Sequence, residues 1–585
     1  MTEATRPVDV EVLSDGTQRA YADSTPSQDR VAIEVRILPR KVIPVVFLPG
    51  IMGSHLRLSP ARQAELKKKS DIAWRPEATA EMLAMINKAP AYRQMILDPE
   101  ATEVDRYEPA TRADADKRHD NVRHVVFLST PDSNTLFNSG DAASSPADAS
   151  ATDAGRRRDQ FARMRGWSEV YFSSYGKLLT TLDQQLNQMC MLGKPGPSWT
   201  AGSYPAIGVT PSVWGGDGGE ALAADALAKI SDAWYPVHAM GYNWLRSNGD
   251  SAKEVAARIR ALIADYNQAG MHCEKVIVVT HSMGGLVGRA LLHADYGNAA
   301  DVIAGIVHGV MPATGAAAAY KRLRMGFEGG GVKGYLFKKV VGATGPEVTA
   351  VLANAPGGLQ LLPSERYGMG WLKAKVNGDE ITLGPVSDPY AEIYTNEDKW
   401  YRLINQAWVN PAKQASSSKK KTEDKLDLAQ DFHRKIASSY KVGNTYISFG
   451  LDEKQKAWGD VVWEAGSAPF FHGGARQQFG FERLHIASDA HNWVVDRDDG
   501  TGTVILHDGM STQPFAVHIA APSEPGDGTV PQRSAEDPVK QGNAKVSFTQ
   551  SGYEHQGSYE DTTAIASTLY SIANIASDAF TWWEQ

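Results

Sequence analysis

The stretch V-V-T-H-S-M-G-G, Val278 to Gly285, limits the possible folds more than any other. The run Val276-Ile277-Val278-Val279 is short and continuously apolar, the pattern of a strand buried on both faces of a parallel sheet. The pattern then changes to Gly284-Gly285-Leu286-Val287-Gly288-Arg289-Ala290-Leu291-Leu292. This reads as a helix whose glycines sacrifice propensity but let another backbone come close. Strand, sharp corner and helix together describe a nucleophile elbow. A serine at that corner, Ser282, sits on a strained turn with Oγ exposed above the sheet, and the helix N-terminus favours developing negative charge. The alternative is an ordinary βαβ crossover in which Ser282 only caps the helix. The usual elbow reads G-x-S-x-G, with a small first residue; here Thr280 stands in that place and needs more room.

Similar runs recur along the chain. Pro44-Val45-Val46-Phe47-Leu48 ends in Pro49-Gly50-Ile51-Met52-Gly53-Ser54, and Val302 to Val307 and Asn444 to Phe449 are further strand runs. Pro236 to Tyr242 is a plausible strand, and Ser251-Ala252-Lys253-Glu254 reads as a capping box opening a helix. Strands alternating with helices at this spacing predict a doubly wound, mostly parallel α/β sheet. The alternation stops between about 311 and 440, a helical block with an exposed charged tract at 416–425, read as a cap or lid inserted into the sheet domain. The predicted organisation is an N-terminal extension at 1–40, a core at 41–310 with a long insertion at about 55–235, the cap at 311–440, and the rest of the core at 441–585. The low-complexity tract 139–158 reads as a mobile loop, and 451–520 as loops and hairpins. A last strand is expected near Val546-Ser547-Phe548 and a last helix from Tyr559 to about Ala576.

A serine hydroxyl is a poor nucleophile until a base, usually an imidazole oriented by a carboxylate, takes its proton. In the α/β-hydrolase arrangement the chain order is serine, acid, histidine, with the histidine between the last strand and the last helix. Of 15 histidines, only His555 meets that condition. The acid belongs on a turn before it, and Gly526-Asp527-Gly528-Thr529-Val530-Pro531 favours Asp527 over Glu524, Asp508 and Asp537. The oxyanion hole needs two backbone N–H groups. One is that of Met283, the residue after the nucleophile, and the other that of Met52 in the glycine-bracketed loop, with Ile51 as its rival.

Composition removes several other classes. A net charge of −8 argues against nucleic-acid binding, and 42% hydrophobic with 22% charged residues is that of a soluble globular protein. No stretch approaches a transmembrane segment, and M-T-E-A-T-R-P lacks the layout of a cleavable signal peptide. Two cysteines, Cys190 and Cys273, make no disulfide framework or zinc spacing and are expected as reduced, buried thiols. No cofactor and no catalytic metal is expected.

P-G-I-M-G-S, Y-N-W-L-R (242–246), T-H-S-M-G-G and G-D-G-T-V-P resemble the lecithin:cholesterol acyltransferase and GPI inositol-deacylase-like lipases. The resemblance covers 41–310 and about 441–585. More narrowly, M-P-A-T-G-A-A-A-A-Y-K-R (311–322), T-G-P-E-V-T-A-V-L-A-N-A-P (344–356) and H-Q-G-S-Y are similar to bacterial type VI secretion lipase effectors of the fourth family, some of which also carry T-H-S-M-G. That resemblance implies a Ser282, Asp527, His555 triad and a serine lipase or phospholipase acting on membrane phospholipid. It also implies a cognate immunity protein, a secretion-apparatus partner, synthesis in the cytoplasm and action in a target cell's periplasm. At the cap start, Lys321, Arg322, Arg324, Lys333, Lys338 and Lys339 against Glu328 alone, interleaved with Tyr320, Leu323, Met325, Phe327, Tyr335, Leu336 and Phe337, read as a lid surface for anionic lipid. The competing readings are an acyltransferase, a small-ester esterase, or an inactive hydrolase-fold protein that binds lipid or a partner.

Overall fold

The computed structural model describes residues 41–585 apart from 124, 126, 130–152, 192–193, 203, 205, 330–337, 377, 442, 467–469, 473–474, 478–489, 509–513, 581 and 583–585; before 41 it describes four short strands only. The rest of the N-terminal extension, and the low-complexity tract up to 152, lie outside the described residues.

Seven strands form the central sheet in the spatial order Gly216–Asp217, Val546–Gln550, Thr445–Gly450, Ile303–Gly309, Val276–His281, Val45–Leu48 and Val237–Ala239. Six are parallel, and the two-residue edge strand Gly216–Asp217 is antiparallel. Alternate side chains of each strand point to opposite layers. Val46, Leu48, Val276 and Val278 join the core under the helices Asn248–Gln268 and Gly284–Leu292. Val45, Phe47, Ile277 and Val279 join the core under the helices Phe172–Leu186 and Thr562–Asp578. Helices on both faces of a mostly parallel sheet give a doubly wound α/β fold, the layering of the α/β-hydrolases. After Val45–Leu48 the chain adds Val237–Ala239 on one side and every later parallel strand on the other. The order therefore reverses between Val45–Leu48 and Val276–His281, and the loops leaving these two strands flank the crevice where open α/β sheets bind ligands.

Three boundaries differ from the sequence reading. The helix expected to open at Ser251 opens at Asn248, capped by Ser247, whose side chain accepts the Gly249 N–H at 3.2 Å. The distant Gln360 side chain accepts the Asn248 N–H at 2.8 Å, so a tertiary contact extends the helix through residues of low propensity. The segment at about 55–235 is not wholly an insertion, because it supplies the layer helix Phe172–Leu186 and the edge strand Gly216–Asp217. The cap does not end at 440. Leu372–Val376 and Asp379–Gly384 form one six-stranded sheet with Val461–Gly466, Phe515–Ile519, Thr503–His507 and Val494–Asp498. Much of 461–519 thus belongs beside the cap, and the pairing partners lie too far apart in sequence for local periodicity to show them.

Candidate active site

The strand Val276–His281 ends at a corner where Ser282 has φ 52°, a sparsely populated region for a residue with a side chain. Its N–H donates to the Gly309 carbonyl at 2.9 Å, holding the corner to the neighbouring strand. The small residues after it answer a packing demand. A Cβ on Gly284 would lie 2.5 Å from the carbonyl oxygens of Leu48 and Pro49, so the helix start can press against the loop leaving Val45–Leu48. Room for Thr280 comes from the same helix: a Cβ on Gly288 would lie 3.1 Å from Thr280 Cγ2. The buried Thr280 hydroxyl lies 3.0 Å from His308 Nδ1, which satisfies it.

His555 lies in the short turn between the last strand and the last helix. Its Nδ1 is 2.7 Å from Asp527 Oδ2 and its Nε2 is 2.8 Å from Ser282 Oγ. The ionised carboxylate accepts Nδ1–H, so Nε2 carries the lone pair and the serine hydroxyl donates to it. Asp527 is 1% exposed, and its Oδ1 accepts the N–H groups of Thr529 at 3.0 Å and Val530 at 2.7 Å. The His555 N–H also donates to the Asp527 carbonyl at 2.8 Å, so base and acid are tied by backbone as well as side chain.

The placement of Asp527 is a tertiary result. The chain leaves the central sheet after Thr445–Gly450, and the legs of the following excursion, Asp452–Ala457 and Glu524–Gly526, pair antiparallel. That pairing returns Asp527 to the end of the strand it left, where a Cβ on Gly450 would lie 2.7 Å from Asp527 Cβ. Two rival acids have other partners: Glu524 binds Arg533 at 2.7 Å, and Asp537 binds Arg366 at 3.1 Å.

Across the crevice, Gly50 to Gly53 forms a tight turn closed by a 3.0 Å Gly53 N–H to Gly50 carbonyl bond, with Met52 at φ 62°. The Trp74 indole donates to the Met52 carbonyl at 2.7 Å and the Tyr242 hydroxyl to the Pro49 carbonyl at 2.8 Å. Among the described residues, neither the Met52 nor the Met283 N–H donates to a backbone carbonyl. The Ile51 N–H is equally unengaged.

Three contributors have no role in the sequence reading. His281 is buried beside His555 and Tyr175 beside His281, and Tyr242 braces the loop opposite. His281 stands next to Ser282 in T-H-S and Tyr242 opens Y-N-W-L-R, so both carry a signal in the sequence. Tyr175 comes from a helix expected inside an insertion.

The cap surface differs from its sequence reading. Lys321 and Arg322 pair with Glu328 at 2.7 and 3.0 Å, and buried Arg324 pairs with Asp498 at 2.7 Å. Tyr320, Leu323 and Met325 are buried in the core. Those anchors share one core with Leu372, Trp463 and Phe515 of the second sheet, Lys321 and Arg322 are half-buried, and Lys333, Tyr335, Leu336 and Phe337 lie outside the described residues. Both cysteines are free; Cys273 is buried and its thiol is pushed up to about 12 by burial, whereas Cys190 is half-buried. Among the described residues no helix is long and apolar enough to cross a membrane.

Residues 233–445 match the lecithin:cholesterol acyltransferase family. No curated protein matches the chain. Among solved structures, a chain from the crystal structure of the Tle4–Tli4 complex is 27% identical with a TM-score of 0.68, covering 92% of this chain and 99% of that one.

Proposed function

We propose that this chain, an α/β-hydrolase with a lecithin:cholesterol acyltransferase-type domain, is a serine lipase or phospholipase that cleaves fatty-acyl esters of membrane lipids. The observation that carries the reading is the hydrogen-bonded line from Ser282 through His555 to Asp527, with the amides of Met283, Met52 and Ile51 unengaged. In the first half-reaction Ser282 Oγ attacks the ester carbonyl carbon while His555 Nε2 takes the hydroxyl proton. Asp527 stabilises the imidazolium, and the Met283 and Met52 amides receive the oxyanion. Nε2 returns the proton to the departing alcohol, leaving an acyl-serine. Water then attacks the acyl carbon, His555 accepts its proton, and the fatty acid leaves as Ser282 regains hydrogen. The role in the cell is an antibacterial type VI secretion effector, supported by the likeness to the Tle4–Tli4 complex and by the effector motifs in the cap. An immunity protein is the partner that likeness suggests.

Treatment with a fluorophosphonate tests the chemistry. The wild type is expected to be labelled at Ser282, and Ser282→Ala to lose both labelling and phospholipid hydrolysis. Labelling that persists in Ser282→Ala refutes the assignment. Forced export to a bacterial periplasm tests the role: the wild type is expected to kill and Ser282→Ala to be harmless. The family match favours one second reading, acyl transfer to an alcohol other than water. New ester formed when an alcohol acceptor is added would support it.

A further inference from the structure

The residue before the nucleophile is engaged on both ring nitrogens. His281 is 1% exposed, and its Nε2 lies 3.0 Å from the backbone carbonyl of His555. A carbonyl can only accept, so Nε2 carries the hydrogen and Nδ1 holds a lone pair. The Tyr175 hydroxyl, 3.1 Å from Nδ1, therefore donates to it. The same hydroxyl oxygen accepts the Gly50 N–H at 3.2 Å. One chain of hydrogen bonds thus runs from the turn that carries Met52, through Tyr175 and His281, to the backbone of the base.

We propose that His281 is a positioning residue that keeps the base loop and the oxyanion loop in register around Ser282. This deepens the hydrolase reading and rests on it. Only the neutral Nε2–H tautomer makes both bonds as drawn. A second proton on Nδ1 would face a hydroxyl that already accepts from Gly50 and would leave the buried tyrosine proton without its acceptor. The surroundings favour that neutral form. The rings of His555, Tyr175 and Tyr559 stand 5.2, 5.4 and 5.8 Å away, and the carboxylate that acts on it among the described residues, Asp527, is bound to His555 Nδ1. Burial, helped by the adjacent His555, brings the His281 imidazole down to about 3. It can therefore stay neutral while His555 gains and loses a proton in each turnover. Space at the junction is tight as well: a Cβ on Gly50 would lie 2.8 Å from His281 Nδ1.

Three variants of the full chain, assayed on a phospholipid ester across pH, test the proposal. His281→Phe keeps a ring but makes neither bond. Its kcat is expected to fall on the order of 10- to 100-fold, the scale of a misplaced catalytic group, with KM within about threefold. The acid limb of kcat/KM, which reports the base of the free enzyme, is expected to move to lower pH as the Asp527 contact loosens. His281→Gln retains an N–H for the His555 carbonyl and is expected to recover most of the loss. Tyr175→Phe leaves that bond intact and frees only the oxyanion side, so kcat should fall with the acid limb unmoved. A folded His281→Phe with wild-type kcat and acid limb overturns the proposal. So does equal loss in the Phe and Gln variants with no limb shift, the mark of mere packing. If His281→Phe does not fold, the decision passes to the other two. An active Gln variant beside an impaired Tyr175→Phe supports the proposal, and an unfolded or inert Gln variant overturns it. Fluorophosphonate labelling of the wild type separates the two levels. No label on Ser282 removes the hydrolase reading and this proposal with it, whereas normal labelling with an indifferent His281→Phe removes the proposal alone.

Discussion

Replacing Asp527 by asparagine or by alanine should divide its two tasks between its two oxygens. Oδ1 accepts two backbone N–H groups, from Thr529 and Val530, and Oδ2 accepts the His555 Nδ1–H. Asparagine can keep its carbonyl oxygen on the two amides and must then turn its NH₂ toward Nδ1. That donor forces Nδ1 to hold the lone pair and Nε2 to carry the hydrogen, so the imidazole can no longer take the Ser282 proton. A wrong tautomer in an intact site costs about 10⁴-fold in kcat, or about 5.5 kcal/mol of barrier. Stability should hardly change, since no buried group loses a partner. Alanine removes the acceptor of both amides, and each buried N–H left unmatched costs about 1–3 kcal/mol. Asp527→Ala should therefore be less stable than Asp527→Asn by about 2–6 kcal/mol, with a comparably low kcat. Initial rates on a lipid ester and urea unfolding of the three proteins decide the matter. An asparagine variant that keeps more than about one hundredth of wild-type kcat would refute the tautomer argument. An alanine variant as stable as the asparagine one would refute the assignment of Oδ1.

Gly450→Ala would place a methyl 2.7 Å from Asp527 Cβ, so kcat should drop at least about tenfold as the acid shifts, while fluorophosphonate labelling slows in parallel. Arg324 and Asp498 form a 2.7 Å pair with side chains 1% and 5% exposed. Breaking it singly, by Arg324→Met or Asp498→Leu, should cost about 3–5 kcal/mol in urea unfolding, and the double replacement much less, because no lone buried charge remains. Acid should also loosen the fold. Burial lowers His281 and His308 to about 3, and His119 and His433 to about 4, from 6.5. Between those values and 6.5 the unfolded chain binds more protons than the folded one, so stability rises with pH across this window and is lost as pH falls through it. Each imidazole contributes at most about 1.4 kcal/mol per pH unit, and His433→Gln should flatten the measured slope by up to that amount.

Most of the central sheet was legible because its signals are local. A four-residue apolar run such as Val276 to Val279 can hardly be anything but a doubly buried strand, and Gly284 to Leu292 begins and ends as a helix where the pattern changes. The order of Ser282, Asp527 and His555 along the chain was also readable, because a serine after one strand and a histidine after the last are positions in a pattern. The second sheet was not legible. Leu372–Val376 lies parallel to Val461–Gly466, and no local periodicity records a pairing across that separation. The cap charges misled for the same reason: Arg324 reads as a surface cation until the chain returns with Asp498 to bury it.

Composition, period and order thus determine which layers form and which side chains are available for chemistry, since these depend on neighbours within a few turns or on rank along the chain. Tertiary structure alone decides the fine placement. Asp527 reaches the end of Thr445–Gly450 because Asp452–Ala457 and Glu524–Gly526 close the excursion between them. His281 meets Tyr175 only because a helix far upstream packs on the sheet face that Ile277 and Val279 share. Hydrogen-bond partners are chosen by distances of about 3 Å, and distances on that scale between remote residues exist only once the chain has folded.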